Sequence, residues 1–116
     1  MTDPLAFAEK TSPKTGNTRI VLADDHPLMR YALKDILEKQ HNFEIIGEAC
    51  DGQQAVDLAN EKLPDLIIMD ISMPNLNGLE ATKLIKASHP EISVLVLTVH
   101  TDTEHVLGIL QAGADG

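Results

Sequence analysis

Three acidic positions and one hydroxyl stand out in this 116-residue chain: the pair Asp24-Asp25, the single Asp70, and Thr98. Each follows a short apolar run: Ile20-Val21-Leu22-Ala23, Leu66-Ile67-Ile68-Met69 and Val94-Leu95-Val96-Leu97. If those runs are parallel strands of one sheet, their carboxyl ends share an edge, where such sheets bind ligands. Two or three carboxylates and a hydroxyl then converge in one cleft. Carboxylates that close repel, and each is pushed toward protonation unless a cation offsets the charge. An all-oxygen donor set with a few carboxylates and waters suits Mg²⁺ better than zinc. A metal-binding acidic cleft with one carboxylate to spare points to phosphoryl chemistry, with that carboxylate as the attacking group.

Taken singly, each residue has a plainer reading. Asp24 or Asp25 can cap a helix that opens at Pro27. Asp70 can serve a turn, and Thr98 is a β-branched residue suited to a strand. Their joint placement at one sheet edge, with Met73-Pro74 and Gly78 after Asp70, is what the plain readings leave unexplained.

The elements that must position these residues follow from periodicity. The first strand is Ile20–Ala23. Pro27 fits a first helical turn, where its missing N–H costs nothing. Met29, Ala32, Leu33, Ile36 and Leu37 then line one helical face. A second strand runs through Glu44–Ala49. Ala55, Val56, Ala59 and Leu63 mark a second helix, stopped by Pro64. The third strand, from Leu66, ends at Asp70, and a loop leads to Gly78, which opens a helix carrying Leu79, Thr82 and Ile85 and ending near His89-Pro90. Ser93–Thr98 is a fourth strand. Val106, Ile109 and Leu110 mark a fourth helix, with Gly113 placed to cap it. Three of the strands are continuous apolar runs, the mark of a parallel sheet covered on both faces by helices. Residues 1–17 are polar and turn-rich and read as a flexible N-terminal tail.

Composition narrows the function. The net charge is −9, from 9 basic and 18 acidic residues. Binding nucleic acid phosphates needs clustered Lys and Arg, which this chain lacks. No apolar run approaches the roughly 18 residues of a membrane span. No signal-peptide pattern opens the chain, and Cys50 is its only cysteine, so a cytoplasmic protein without a disulfide framework is expected.

From Arg19 to Gly116 the chain resembles the receiver domain of two-component response regulators. The resemblance rests on Val21-Leu22-Ala23-Asp24-Asp25-His26-Pro27, on Asp70-Ile71-Ser72-Met73-Pro74 with Gly78, on Val96-Leu97-Thr98, and on Ala112-Gly113-Ala114-Asp115-Gly116. Asp24-Asp25-His26-Pro27 and Thr98-Val99-His100 look like the NarL/LuxR-type subfamily. The resemblance implies a doubly wound, flavodoxin-like α/β fold of strand order 2-1-3-4-5. Residues 18–116 would form the receiver, with its fifth strand and helix missing from this chain. Asp70 would accept a phosphoryl group from a sensor histidine kinase. Asp25, Asp70 and the backbone carbonyl of Ser72 would hold Mg²⁺, and Asp24 would act on it mostly through water. Thr98 would hydrogen-bond a phosphoryl oxygen. The implied output is dimerisation and control of transcription through a helix-turn-helix DNA-binding domain absent from this chain.

The family's strand-five lysine and switch aromatic would fall past Gly116, and no lysine here takes that role. A Mg²⁺-dependent aspartyl-phosphate phosphohydrolase is the competing reading. Such enzymes commonly carry a second carboxylate two residues after the nucleophile, where this chain has Ser72. A stand-alone receiver acting through protein contacts is the third. His26 and His100 border the cleft, but a site of hard oxygens does not need imidazole. His41, His89 and His105 are expected to be solvated, and Cys50 to be a buried or half-buried apolar residue. With no fifth strand, Ser93–Thr98 is expected to be an unguarded edge, and the chain not to be a self-sufficient domain.

Overall fold

The structure is a computed structural model and describes residues 17–97 together with Gly113 and Asp115. Seven elements alternate: β1 (Thr18–Ala23), α1 (Pro27–Glu38), β2 (Phe43–Ala49), α2 (Gly52–Lys62), β3 (Leu66–Asp70), α3 (Gly78–Ser88) and β4 (Ser93–Leu97). The strands form one parallel sheet in the order β2-β1-β3-β4. This is the doubly wound order the sequence implied. The expected tail up to Gly16, Thr98, His100 and the fourth helix lie outside the described residues. Gly113 adopts φ +97°, the left-handed conformation that the expected cap requires.

The apolar runs became the sheet's centre because β1 and β3 are covered on both faces. Val21, Ile67, Met69 and Val94 pack with Ala55, Ala59, Ala81 and Ile85 beneath α2 and α3. Ile20, Leu22, Leu66 and Ile68 point the other way, against Leu33 and Leu37 of α1. Full burial of a side chain such as Ile67 contributes about 1.5–3 kcal/mol.

The apolar face expected for α1 is wider than the face that packs. Met29 and Ile36 are exposed, as is Ala32, so the helix meets the sheet through Leu33 and Leu37. Leu63 likewise sits outside the core, because the chain leaves α2 there in the left-handed region (φ +48°). Cys50 is exposed rather than buried, since it lies just past the end of β2. His89 is half-buried, and its Nε2 lies 2.8 Å from Asn60 Oδ1, tying the end of α3 to α2.

Among the described residues β4 is the outermost strand on its side of the sheet, and its outer side has a guard that was not expected. The Asp115 N–H donates to the Val94 carbonyl at 2.9 Å, and its carboxylate accepts the Val94 N–H at 2.8 Å. Lys86 holds that carboxylate at 3.0 Å.

Candidate functional site

Parallel pairing fixes what meets at the carboxyl edge. Ala23 pairs with both Ala49 and Met69, and Asp70 with Leu97. The residues just past β1 therefore face the last residue of β3. Asp24, Asp25, His26 and Asp70 each bring one donor atom to a common point, all within 4.8 Å of one another.

Within this cluster Asp24 is the most buried. Its Oδ1 accepts the His26 N–H at 2.8 Å and lies 3.0 Å from His26 Nδ1. Its own carbonyl accepts from Arg30 Nη1 at 2.6 Å, which pins the loop to α1. Neither Asp24 nor Asp25 caps α1: the capping position is His26, whose side chain makes no capping bond. Asp25 Oδ1 lies 3.0 Å from His26 Nδ1, an ion-pair approach without hydrogen-bond alignment. That oxygen is shielded from water and lacks a hydrogen-bond partner. A shielded acceptor without a hydrogen bond is open to a cation beyond the nearby His26 ring, and the carboxylate oxygens of Asp24, Asp25 and Asp70 around it are a donor set that a hard divalent cation takes. The residues present therefore fit Mg²⁺.

The electrostatics follow from crowding. The Asp70 carboxyl is held above its ordinary range, first by burial and then by the charge of Asp24, with Asp25 adding less. The N–H groups of Ser72 and Ile71 oppose that rise. The His26 imidazole is raised, first by its hydrogen bond to Asp24 and next by the charge of Asp25. A base raised on folding stabilises the fold below its ordinary pKa, and that contribution is lost as pH rises through the raised value. In the absence of divalent cations, His26→Ala is therefore expected to lower the urea midpoint at about pH 5.5 and to leave it unchanged at about pH 9. An equal loss at both pH values would assign His26 a packing role instead.

The loop after β3 is shaped by close backbone approach. An added Cβ at Gly78 would stand 2.1 Å from the Asp70 carbonyl oxygen. Gly78 N–H donates to the Ile71 carbonyl at 2.9 Å, so the loop closes tightly on the end of β3. Ser72 sits exposed at its head, two residues past Asp70. Thr98 lies outside the described residues. Of the residues singled out in the sequence, the structure thus brings together Asp24, Asp25 and Asp70. His26, discounted there, is in the same cluster. Its position directly after the acidic pair was the signal available.

Comparison with known proteins gives the family in which such a cleft occurs. The family described as the response regulator receiver domain matches residues 20–116. The chain belongs to that family. It is 43% identical over 98 residues to the transcriptional regulatory protein DegU of Brevibacillus brevis, covering 84% of this chain and 42% of that one. It is 39% identical over 97 residues to the response regulator UvrY of Escherichia coli, covering 84% and 44% respectively. The chain thus spans less than half the length of these curated relatives. Among solved structures, a LuxR-family two-component response regulator from Aurantimonas superposes with a TM-score of 0.82 at 33% identity, over 86% of this chain and 71% of that one. The signal receiver domain of the NarL regulator of Mycobacterium tuberculosis does so at 0.81 and 32%, over 84% and 79%. The NarL/LuxR-type likeness carried by Asp24-Asp25-His26-Pro27 is therefore met in this receiver. Among the described residues no helix is long and apolar enough to cross a membrane.

Proposed function

We propose that this receiver is a phosphorylation-controlled switch in which Asp70 is the phosphoacceptor. The observation that supports this most is the placement of Asp70 at the last position of β3, with Asp24 and Asp25 brought to it from the end of β1. A carboxylate oxygen of Asp70 attacks the phosphorus of a histidine kinase phosphohistidine. The new O–P bond forms as the P–N bond breaks, and the kinase imidazole leaves with the bonding pair and takes up a proton. Asp25, Asp70 and the Ser72 carbonyl would hold Mg²⁺, with Asp24 beside them supporting the ion rather than ligating it directly. When bound, the ion offsets the charge of carboxylates and phosphoryl oxygens. The protein's share is to hold those oxygens close before the reaction, at the cost of mutual repulsion that burial of Asp70 sharpens.

Once Asp70 is modified, the Thr98 hydroxyl donates to a phosphoryl oxygen. The added charge of nearly two units draws the end of the fourth strand inward. The output is homodimerisation and control of transcription through a DNA-binding domain beyond residues 18–116, in the cytoplasm. Curated relatives named as transcriptional regulators, of about twice this chain's length, support that output.

The metal role has a direct test. Asp25→Asn is expected to weaken Mg²⁺ binding about tenfold or more, because one hard anionic ligand is replaced by a neutral amide. Calorimetric titration of both proteins checks it, and equal affinities would remove Asp25 from the ligand set.

A further inference from the structure

The β3–α3 loop has to present the Ser72 carbonyl beside Asp70, yet Ser72, Pro74, Asn75 and Asn77 are all exposed. Buried Met73 and partly buried Leu76 anchor the loop in the core beneath it, and two consecutive residues at the β2–α2 corner hold its exposed turn. Asn75 Nδ2 donates to Asp51 Oδ2 at 2.8 Å across 24 residues of sequence. Beside that bond the Leu76 carbonyl fills the space where a Cβ of Gly52 would be, 1.9 Å from its ideal position. Asn75 is held at φ +66°, a left-handed conformation uncommon outside glycine. Asp51 is buried, and its two oxygens divide the work. Oδ1 accepts the Gln54 N–H at 2.8 Å and caps α2, and Oδ2 faces the loop.

We infer that Asp51 and Asn75 are positioning residues for the metal and phosphoryl site, acting through the loop that carries Ser72. Mg²⁺ demands near-ideal octahedral geometry, so a loop carbonyl that wanders is a poor ligand. Groups that orient metal ligands without touching the metal commonly change affinity by about 10–100-fold when lost. The inference rests on the reading of Asp70, Asp25 and Ser72 as the Mg²⁺ site.

Two substitutions separate positioning from plain stability. Asp51→Ser keeps a good helix cap, because serine caps as well as aspartate, but serine is too short to reach Asn75. Asn75→Gly keeps, and relaxes, the left-handed backbone while removing the amide. Asp51→Asn is the conservative control. It still caps, and a rotated Asn75 amide can restore the pair.

Mg²⁺ affinity of the intact protein is measured by calorimetry, and the rate of phosphoryl gain from acetyl phosphate by intact mass. Asp51→Ser and Asn75→Gly are each expected to weaken Mg²⁺ binding by about tenfold, the lower end of such effects. The thermal midpoint should stay close to wild type. The double variant should bind no more weakly than the worse single variant, and Asp51→Asn should bind as wild type does. If wild type binds Mg²⁺ and both single variants bind equally well, the positioning role is wrong. Losses that multiply in the double variant overturn it too, since they assign the residues independent effects. If wild type itself neither binds Mg²⁺ nor gains a phosphoryl group, the underlying site reading fails, and the positioning role with it.

Discussion

Replacing Asp70 with asparagine is expected to abolish phosphoryl acceptance outright. With acetyl phosphate and Mg²⁺, wild-type protein should gain one phosphoryl mass, and Asp70→Asn none. An amide supplies no anionic oxygen to attack phosphorus, and Asp70 is the one carboxylate of this cluster that lies within a strand, as the last residue of β3, while Asp24 and Asp25 follow the end of β1. Crowding makes the result informative. Asp24 and Asp25 share the pocket, so a merely reactive acidic patch would go on being labelled at one of them. Peptide mapping decides. A modification on Asp24, Asp25 or a serine would reassign the acceptor.

The second large effect concerns a residue with no functional group. On helix propensity alone, Gly78→Ala should stabilise α3 by up to about 1 kcal/mol. The opposite is expected. The new methyl would stand 2.1 Å from the Asp70 carbonyl oxygen and 2.9 Å from the Ile71 Cα, both backbone atoms that no rotamer change can move aside. Gly78 needs space rather than an unusual φ, because Gly113 alone among the described glycines has positive φ. Forced overpacking typically costs about 1–3 kcal/mol, and here it outweighs the propensity gain. The same push displaces Asp70, so labelling should slow as well. Urea denaturation and the acetyl phosphate assay read the two effects separately. A variant as stable and as quickly labelled as wild type would show that the end of β3 yields freely.

What the sequence made legible depended on the range of the interaction. The carboxylates could be placed because each directly follows an apolar run, and parallel pairing carries run ends to a common edge. The sheet order was reachable only through the family resemblance. Periodicity found the apolar residues of α1 but not which of them meet the sheet. Leu33 and Leu37 do, while Met29 and Ile36 share the helical face without reaching it. His26 was set aside because oxygen chemistry does not require imidazole. It enters the cluster through its backbone, since the Asp24 carboxylate takes its N–H and the ring follows. The Asp51–Asn75 bond had no signature at all. Each residue reads as an ordinary turn or cap, and only the fold brings the two corners together.

The edge strand was expected to be open, but Asp115 pairs with Val94 on its outer side. Any group that pairs with the outer side of β4 at Val94 must evict a carboxylate that Lys86 holds by charge as well as by a hydrogen bond. Dissolved salt weakens charge attraction between partly exposed groups but leaves backbone strand pairing largely untouched. Release of Asp115 from Val94 is therefore favoured by high ionic strength and resisted in dilute buffer.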